Sequence, residues 1–245
     1  MSGANNPDRD QGRPASRPRR PTRAEQPERY IVPECREAVT ELYRDAHILV
    51  VNKPPFLLSV PGRAPENRDC VTTRLKRDHP DLRLVHRLDL DTSGVMVFAL
   101  TRAAQSGLSR AFQQRRVAKA YQAVVQGVVD DEEGCIDLPL CADWPNRPLQ
   151  KVCFENGKPA LTRWRVLERE PARQRTRLRL MPVTGRSHQL RIHCREIGHP
   201  ILGCDLYAPP AVLGRSDRLL LHAESLAFNH PVTGLWSEFH SPVPF

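Results

Sequence analysis

No stretch of this 245-residue chain comes near the run of about eighteen apolar residues that a membrane-spanning helix requires, so the sequence predicts none. Its first residues are polar and carry no apolar core segment, and no secretory signal is expected. Cysteine occurs seven times, an odd count with no C-x-x-C pair, which argues against a disulfide framework and against a zinc ribbon. The thiols are therefore expected to be reduced, in a cytoplasmic protein, most of them packed as small hydrophobes. A Gly-rich phosphate loop and a D-F-G are both missing. HRLDL at 86–90, which also departs from the H-R-D spacing by one residue, is thus not a kinase catalytic loop.

What is abundant is positive charge. Lys and Arg number 37 against 28 Asp and Glu, a formal net charge of +9 and a pI near 9.6. Such an excess suits a polyanionic partner, most often nucleic acid, although a merely basic soluble protein has the same signature. Residues 1–29 are rich in Pro and Arg, lack apolar periodicity and read as a disordered tail. Seven arginines against four acids leave +3 there, so +6 falls on the body at 30–245, which reads as one domain.

AHILVVNKP (46–54) reads as a buried strand stopped by Pro54-Pro55, and LLSVPGR (57–63) as extended chain entering a turn. Asp69 is a candidate cap for a short helix over 71–77, and Thr101 for a helix over 102–114. Strands are expected at VMVFALT, 119–129, 161–169 and 175–182, with a final hairpin from 219–228 and 235–239. In RTRLRL, period two sets Arg175, Arg177 and Arg179 on one face; a solvated face and an RNA surface explain this equally well. GRSHQLRIHCREIG (185–198) reads as a helix stopped by Gly198. Strands outnumber helices and the connections are short for βαβ crossovers, so the expected class is α+β with a mainly antiparallel sheet.

The densest chemistry is VHRLDLDTSG (85–94), a turn that packs His86, Arg87, Asp89 and Asp91 at the mouth of a buried strand. Turns entering strands are where catalytic side chains are often displayed, but a capping Asp is also common. The residues alone do not choose between the two carboxylates. A metal site from His188, His193, Cys194 and His199 fits poorly, because His188 and His193 are i, i+5, about 140° apart on a helix.

The stretch H-R-L-D-x-x-T-S-G resembles the signature of the RluA family of pseudouridine synthases. VVNKP (50–54), LLSVPGR (57–63), the Tyr121 region, DWPNRP with QKVC (143–153), GKPA (157–160), TGRSHQLRIH (184–193), GHPILG (198–203) and LLLHAE (219–224) follow in matching order, covering about 40–245. LLSVPGR, DWPNRP and QKVC are most similar to the dual-specificity type. That type acts on an anticodon-loop uridine of some tRNAs and a hairpin-loop uridine of 23S rRNA, and has no preceding S4-like domain.

The resemblance implies a curved mixed, mainly antiparallel sheet with packed helices and a basic cleft. It implies catalysis without metal or organic cofactor. By position, Asp89 resembles the nucleophile, Arg191 the cation paired with it, and Tyr121 the aromatic residue lying on the uracil face. Arg87 resembles a residue that fills the vacated stack; His86, Ser187, His188 and Leu190 are expected around the substrate, and Asp91, in a variable slot, is expected to be structural. The expected partners are rRNA and tRNA, with no membrane, and the chain is expected to be a monomer. The alternatives are the same chemistry at another large-subunit rRNA uridine, or an RNA-binding module without catalysis.

Overall fold

The structure is a computed structural model that describes residues 30–245; the tail read at 1–29 lies outside the described residues. The strands are β1 (Thr40–Arg44), β2 (Ile48–Lys53), β3 (Arg83–Leu84), β4 (Ser93–Ala99), β5 (Val117–Gln126) and β6 (Glu133–Asp137). They continue with β7 (Leu140–Ala142), β8 (Gln150–Val152), β9 (Leu161–Glu170), β10 (Arg175–Pro182), β11 (Leu221–Asn229) and β12 (Trp236–His240). The α-helices are α1 (Val71–Leu75), α2 (Arg102–Gln113), α3 (Gln189–Glu196) and α4 (Pro210–Leu213).

Ten strands form one mixed sheet in the order β1-β2-β4-β11-β5-β10-β9-β6, with β12 beside β11 and β3 beside β4; β7 and β8 make a separate hairpin. Among the described strands the one parallel pairing is β4 with β11, where Ser93 faces His222 and Gly94 faces Ala223. The α+β class with a mainly antiparallel sheet is thus the observed architecture.

The apolar runs of β2 and β4 are buried on both faces, which is why neither alternates with polar residues. Period two divides them. Leu49, Val51, Met96 and Phe98 pack with Leu57 and Val71 on one side. Ile48, Val50, Val95 and Val97 pack with Ala104 and Leu108 of α2 on the other. Thr101 caps α2 by accepting from the Ala104 amide at 3.2 Å. A third core lies between β5, β10 and α3 and includes Val125, Leu178, Leu180 and Ile192.

Two local expectations are corrected. The cap of α1 is Cys70, whose sulfur accepts from the Thr73 amide at 3.3 Å, while Asp69 instead pairs with Arg74 at 2.6 Å. The helix read from residue 185 begins at Gln189, because His188 adopts a left-handed backbone with φ of +56°. Arg175, Arg177 and Arg179 share a face, as period two requires, and each meets a carboxylate: Glu170 at 2.7 Å, Glu168 at 3.8 Å and Glu224 at 3.3 Å. That stripe is charge-compensated within the sheet and is not a free basic surface.

Strand register builds the site. Gly94 of β4, Ala223 of β11, Tyr121 of β5 and Leu180 of β10 stand in line across four adjacent strands. A Cβ on Gly94 would meet the Ala223 carbonyl oxygen at 2.3 Å, and its φ is +115°, so only glycine lets β4 approach β11 this closely. The loop before β4 and the turn after β10 are thereby brought to the same end of the sheet as Tyr121.

Candidate active site

The 85–92 segment has little regular structure of its own, and its backbone is pinned by side chains from earlier in the chain. Ser59 Oγ donates to the Leu88 carbonyl at 2.7 Å and accepts from the Leu88 amide at 3.1 Å, satisfying both backbone groups of that residue. Lys53 is fully buried and its Nζ donates to the carbonyls of Leu57 at 2.7 Å, Pro54 at 2.9 Å and Leu90 at 3.0 Å. Burial pushes its ammonium down to about 7, against the pull of Asp91 and Asp89. Three acceptors match the three N–H groups of the charged form. These two clamps come from VVNKP and LLSVPGR and flank Asp89 at Leu88 and Leu90. Neither residue was singled out from the sequence; a lysine closing an apolar strand was the available signal.

His86 stacks on Phe112 at 4.7 Å between ring centroids, and its Nε2 accepts from the Val97 amide at 3.0 Å. Burial, with the Lys119 charge nearby, pushes it down to about 3, so it is a neutral acceptor holding the loop to β4. Its ring also lines the larger cleft described below.

Asp89 and Tyr121 line a recess of about 100 Å³ together with Arg87, His188, Leu190 and Arg191. The structure therefore brings seven of the eight expected residues to one place, counting His86 on the adjoining wall. Ser187 is the exception: it is exposed in the turn before α3 and is not among the recess walls, because the left-handed step at His188 turns the chain between them. Burial and then the Asp89 charge push the Tyr121 phenol up, so it stays neutral.

The contacts of Arg191 differ from the expected pair. Its Nη2 donates to Asp205 at 2.6 Å, its Nε to Cys204 Sγ at 3.3 Å, and its Nη1 lies 3.7 Å from Asp91. Burial opposes its charge, but Cys204, Asp205, Asp91 and Asp89 outweigh burial and raise it well above the ordinary value. Asp89 is the smallest of these influences and lies outside ion-pair distance, so the guanidinium acts on it through space. Arg191 is 1% exposed, and an unpaired guanidinium there would be prohibitive, which explains why two further carboxylates accompany it. Asp91 is buried at 3% exposure, in keeping with a structural part, and Asp205 was not foreseen.

The carboxylate of Asp89 accepts no hydrogen bond from any described residue, and its nearest ionic contact is His188 Nε2 at 4.0 Å. The recess opens into a larger space of about 550 Å³, and Arg87, Arg115, Lys119 and Arg186 stand along it with no carboxylate among its walls. Such a trough attracts a phosphate backbone, while the recess is of a size to take one flat base.

The four residues weighed as metal ligands are dispersed. His193 bonds Thr162 Oγ1 at 2.9 Å and the Leu138 carbonyl at 3.2 Å, His199 meets the Gln126 carbonyl at 2.8 Å, and His188 meets Tyr207. Burial pushes the Cys194 thiol up to about 12. Among the described residues no group of three or more His, Cys, Asp or Glu is placed to hold a metal, and no helix is long and apolar enough to cross a membrane.

Known proteins are similar to this chain in sequence and fold. The family described as RNA pseudouridylate synthase matches residues 47–196. The dual-specificity RNA pseudouridine synthase RluA of Yersinia pestis is 53% identical over 204 residues, covering 83% of this chain and 96% of that protein. The protein of the same name from Pasteurella multocida is 50% identical over 204 residues, covering 83% and 93%. Human RNA pseudouridylate synthase domain containing 1 superposes with a TM-score of 0.72 at 31% identity, covering 87% of this chain and 86% of that one. A carboxylate presented on H-R-L-D beside Tyr121 and Arg191, in a fold and sequence shared at this level, makes the chain a member of the RluA family of RNA pseudouridine synthases, which are isomerases.

Proposed function

We propose that this enzyme isomerises loop uridines in both tRNA and large-subunit rRNA, with Asp89 as the nucleophile. The observation that carries the reading is the unbonded Asp89 carboxylate in a base-sized recess at the end of a cation-lined trough. The dual specificity is supported by relatives of that name at 50–53% identity over most of the chain.

The reaction breaks the bond from uracil N1 to ribose C1′, turns the base, joins C5 to C1′, releases the C5 proton and places a proton on N1. No electron is gained or lost overall. Asp89 supplies the anion that attacks the substrate while the glycosidic bond breaks. Tyr121 lies against the base; stacking of this kind contributes about 1–3 kcal/mol, which offsets part of the few kcal/mol needed to extract a base from its stack. Arg87, exposed on the rim shared by recess and trough, is placed to enter the gap the base leaves. A hairpin or anticodon loop suits such a site because its bases are already partly unstacked.

Tritium release from RNA labelled at uridine C5 tests this. Purified enzyme receives an anticodon stem-loop and an rRNA hairpin separately, with Asp89→Asn beside each. Release from both substrates, abolished by the substitution, is the expected result. Release from the hairpin alone removes tRNA from the assignment, and undiminished turnover by Asp89→Asn removes the nucleophile.

A further inference from the structure

One polar chain reaches the site from outside the residues already assigned. Gln150, at the start of β8, donates its amide N–H to the Tyr207 hydroxyl oxygen at 3.0 Å. That oxygen lies 2.5 Å from His188 Nδ1, and the two rings meet edge to face at 5.5 Å between centroids. The opposite nitrogen, His188 Nε2, faces Asp89 Oδ1 at 4.0 Å. The His188 side chain is 10% exposed and hangs from a left-handed backbone, a costly conformation for a residue with a Cβ.

The direction of the chain follows from donors and acceptors. A backbone amide can only donate, so the Tyr207 oxygen is an acceptor toward Gln150. Burial pushes the Tyr207 phenol up, so it keeps its proton. Among the described residues His188 Nδ1 is the acceptor within reach of that proton. Nδ1 therefore carries the lone pair, and the single N–H of the neutral imidazole is on Nε2.

We propose that Tyr207 fixes His188 as its Nε2–H tautomer, making His188 a positioning residue that presents one N–H to Asp89 Oδ1 and leaves Oδ2 free to attack. This rests on the reading of Asp89 as the reacting carboxylate. The 4.0 Å gap is longer than a hydrogen bond and shortens when a base enters the recess and displaces water from the carboxylate. Two consequences follow. His188 has no lone pair facing the substrate, so it does not take the C5 proton. The β7–β8 hairpin, bonded to Tyr207 through Gln150, holds the last link of the chain and so influences turnover without touching the reacting atoms.

Nitrogen-15 NMR of the imidazoles reads the tautomer directly in the unmodified enzyme. His188→Asn, which removes one set of signals, assigns the resonance. The expected spectrum shows a pyrrole-type Nε2 and a pyridine-type Nδ1 for His188, and Tyr207→Phe turns it into an averaged mixture. Tyr207→Phe is expected to lower kcat about tenfold, equivalent to 1.36 kcal/mol, with KM within about twofold. His188→Gln, whose amide N–H can stand where Nε2–H stood, is expected to retain more turnover than His188→Asn.

A pyridine-type Nε2 in the unmodified enzyme overturns the proposal. So does the expected tautomer with an unchanged kcat in Tyr207→Phe, or equal turnover by the Gln and Asn variants. Failure of the Asp89 reading is seen separately, as turnover by Asp89→Asn.

Discussion

Ser59→Ala separates the placing of Asp89 from the chemistry of Asp89. In the folded protein Ser59 is 4% exposed, and its hydroxyl is the hydrogen-bond partner of both the amide and the carbonyl of Leu88, itself 7% exposed. Removing the hydroxyl leaves two buried backbone groups without partners. Each such group costs about 1–3 kcal/mol, so a loss of about 2–6 kcal/mol in unfolding free energy is expected. The released residue is the neighbour of Asp89, and misplacing a reacting group by about 1 Å can cost on the order of a hundredfold in rate. Urea unfolding gives the first quantity as a lower midpoint with an unchanged slope. Tritium release at saturating RNA, below the unfolding midpoint, gives the second as a kcat reduced about tenfold or more. A stability loss under about 0.5 kcal/mol would show that the two bonds contribute nothing net. A clear stability loss with an unchanged kcat would show that the clamp serves the fold and not the carboxylate.

Gly94→Ala sets a Cβ 2.3 Å from the Ala223 carbonyl oxygen at a φ of +115°, and backbone strain plus overpacking should cost about 3 kcal/mol or more. For a domain of this size the melting temperature should fall by about 6 °C or more; a drop within 2 °C would mean that β4 and β11 are not in this register. Burial pushes His86 down to about 3 and His222 to about 4, so both remain neutral in the fold while the unfolded chain protonates them near 6.5. The unfolded state therefore binds more protons between those values, and stability falls with pH from about 6.5 toward 4, by up to about 1.4 kcal/mol per pH unit for each histidine. His86→Asn, whose carbonyl can accept the Val97 amide, should flatten that slope, and an identical slope would reject the assignment. Replacing Arg115 or Arg186 by Gln should reduce the salt dependence of RNA binding by about 0.7 in the slope of log affinity on log salt for each lost contact; an unchanged slope would take the RNA out of the trough.

The sequence by itself determined the strands, because apolar runs and period-two alternation are local properties that burial then enforces. AHILVVNKP and VMVFALT read as strands, and β2 and β4 are buried strands at those places, and Thr101 caps α2 as its side chain requires. The order of motifs was enough for the family. It also singled out Asp89, Tyr121 and Arg191, which lie 32 and 70 residues apart in the chain yet line one recess.

Tertiary structure decided what partners each charge has. Nothing in RTRLRL announces that its three arginines meet Glu170, Glu168 and Glu224, because those carboxylates lie on other strands or at the strand end and are chosen by register. Nothing in SHQLR says that Arg191 takes Asp205 and Asp91 as its ion-pair partners, or that Lys53 and Ser59 grip Leu90 and Leu88 across about thirty residues of chain. The left-handed step at His188 was likewise invisible, since helical periodicity continues through it in sequence, and it sends Ser187 outward while turning His188 toward Asp89. Periodicity is written by neighbours a few residues away. Electrostatic pairing and hydrogen bonding of buried groups are settled by distances of a few ångströms between remote segments, and those distances exist only once the sheet has closed.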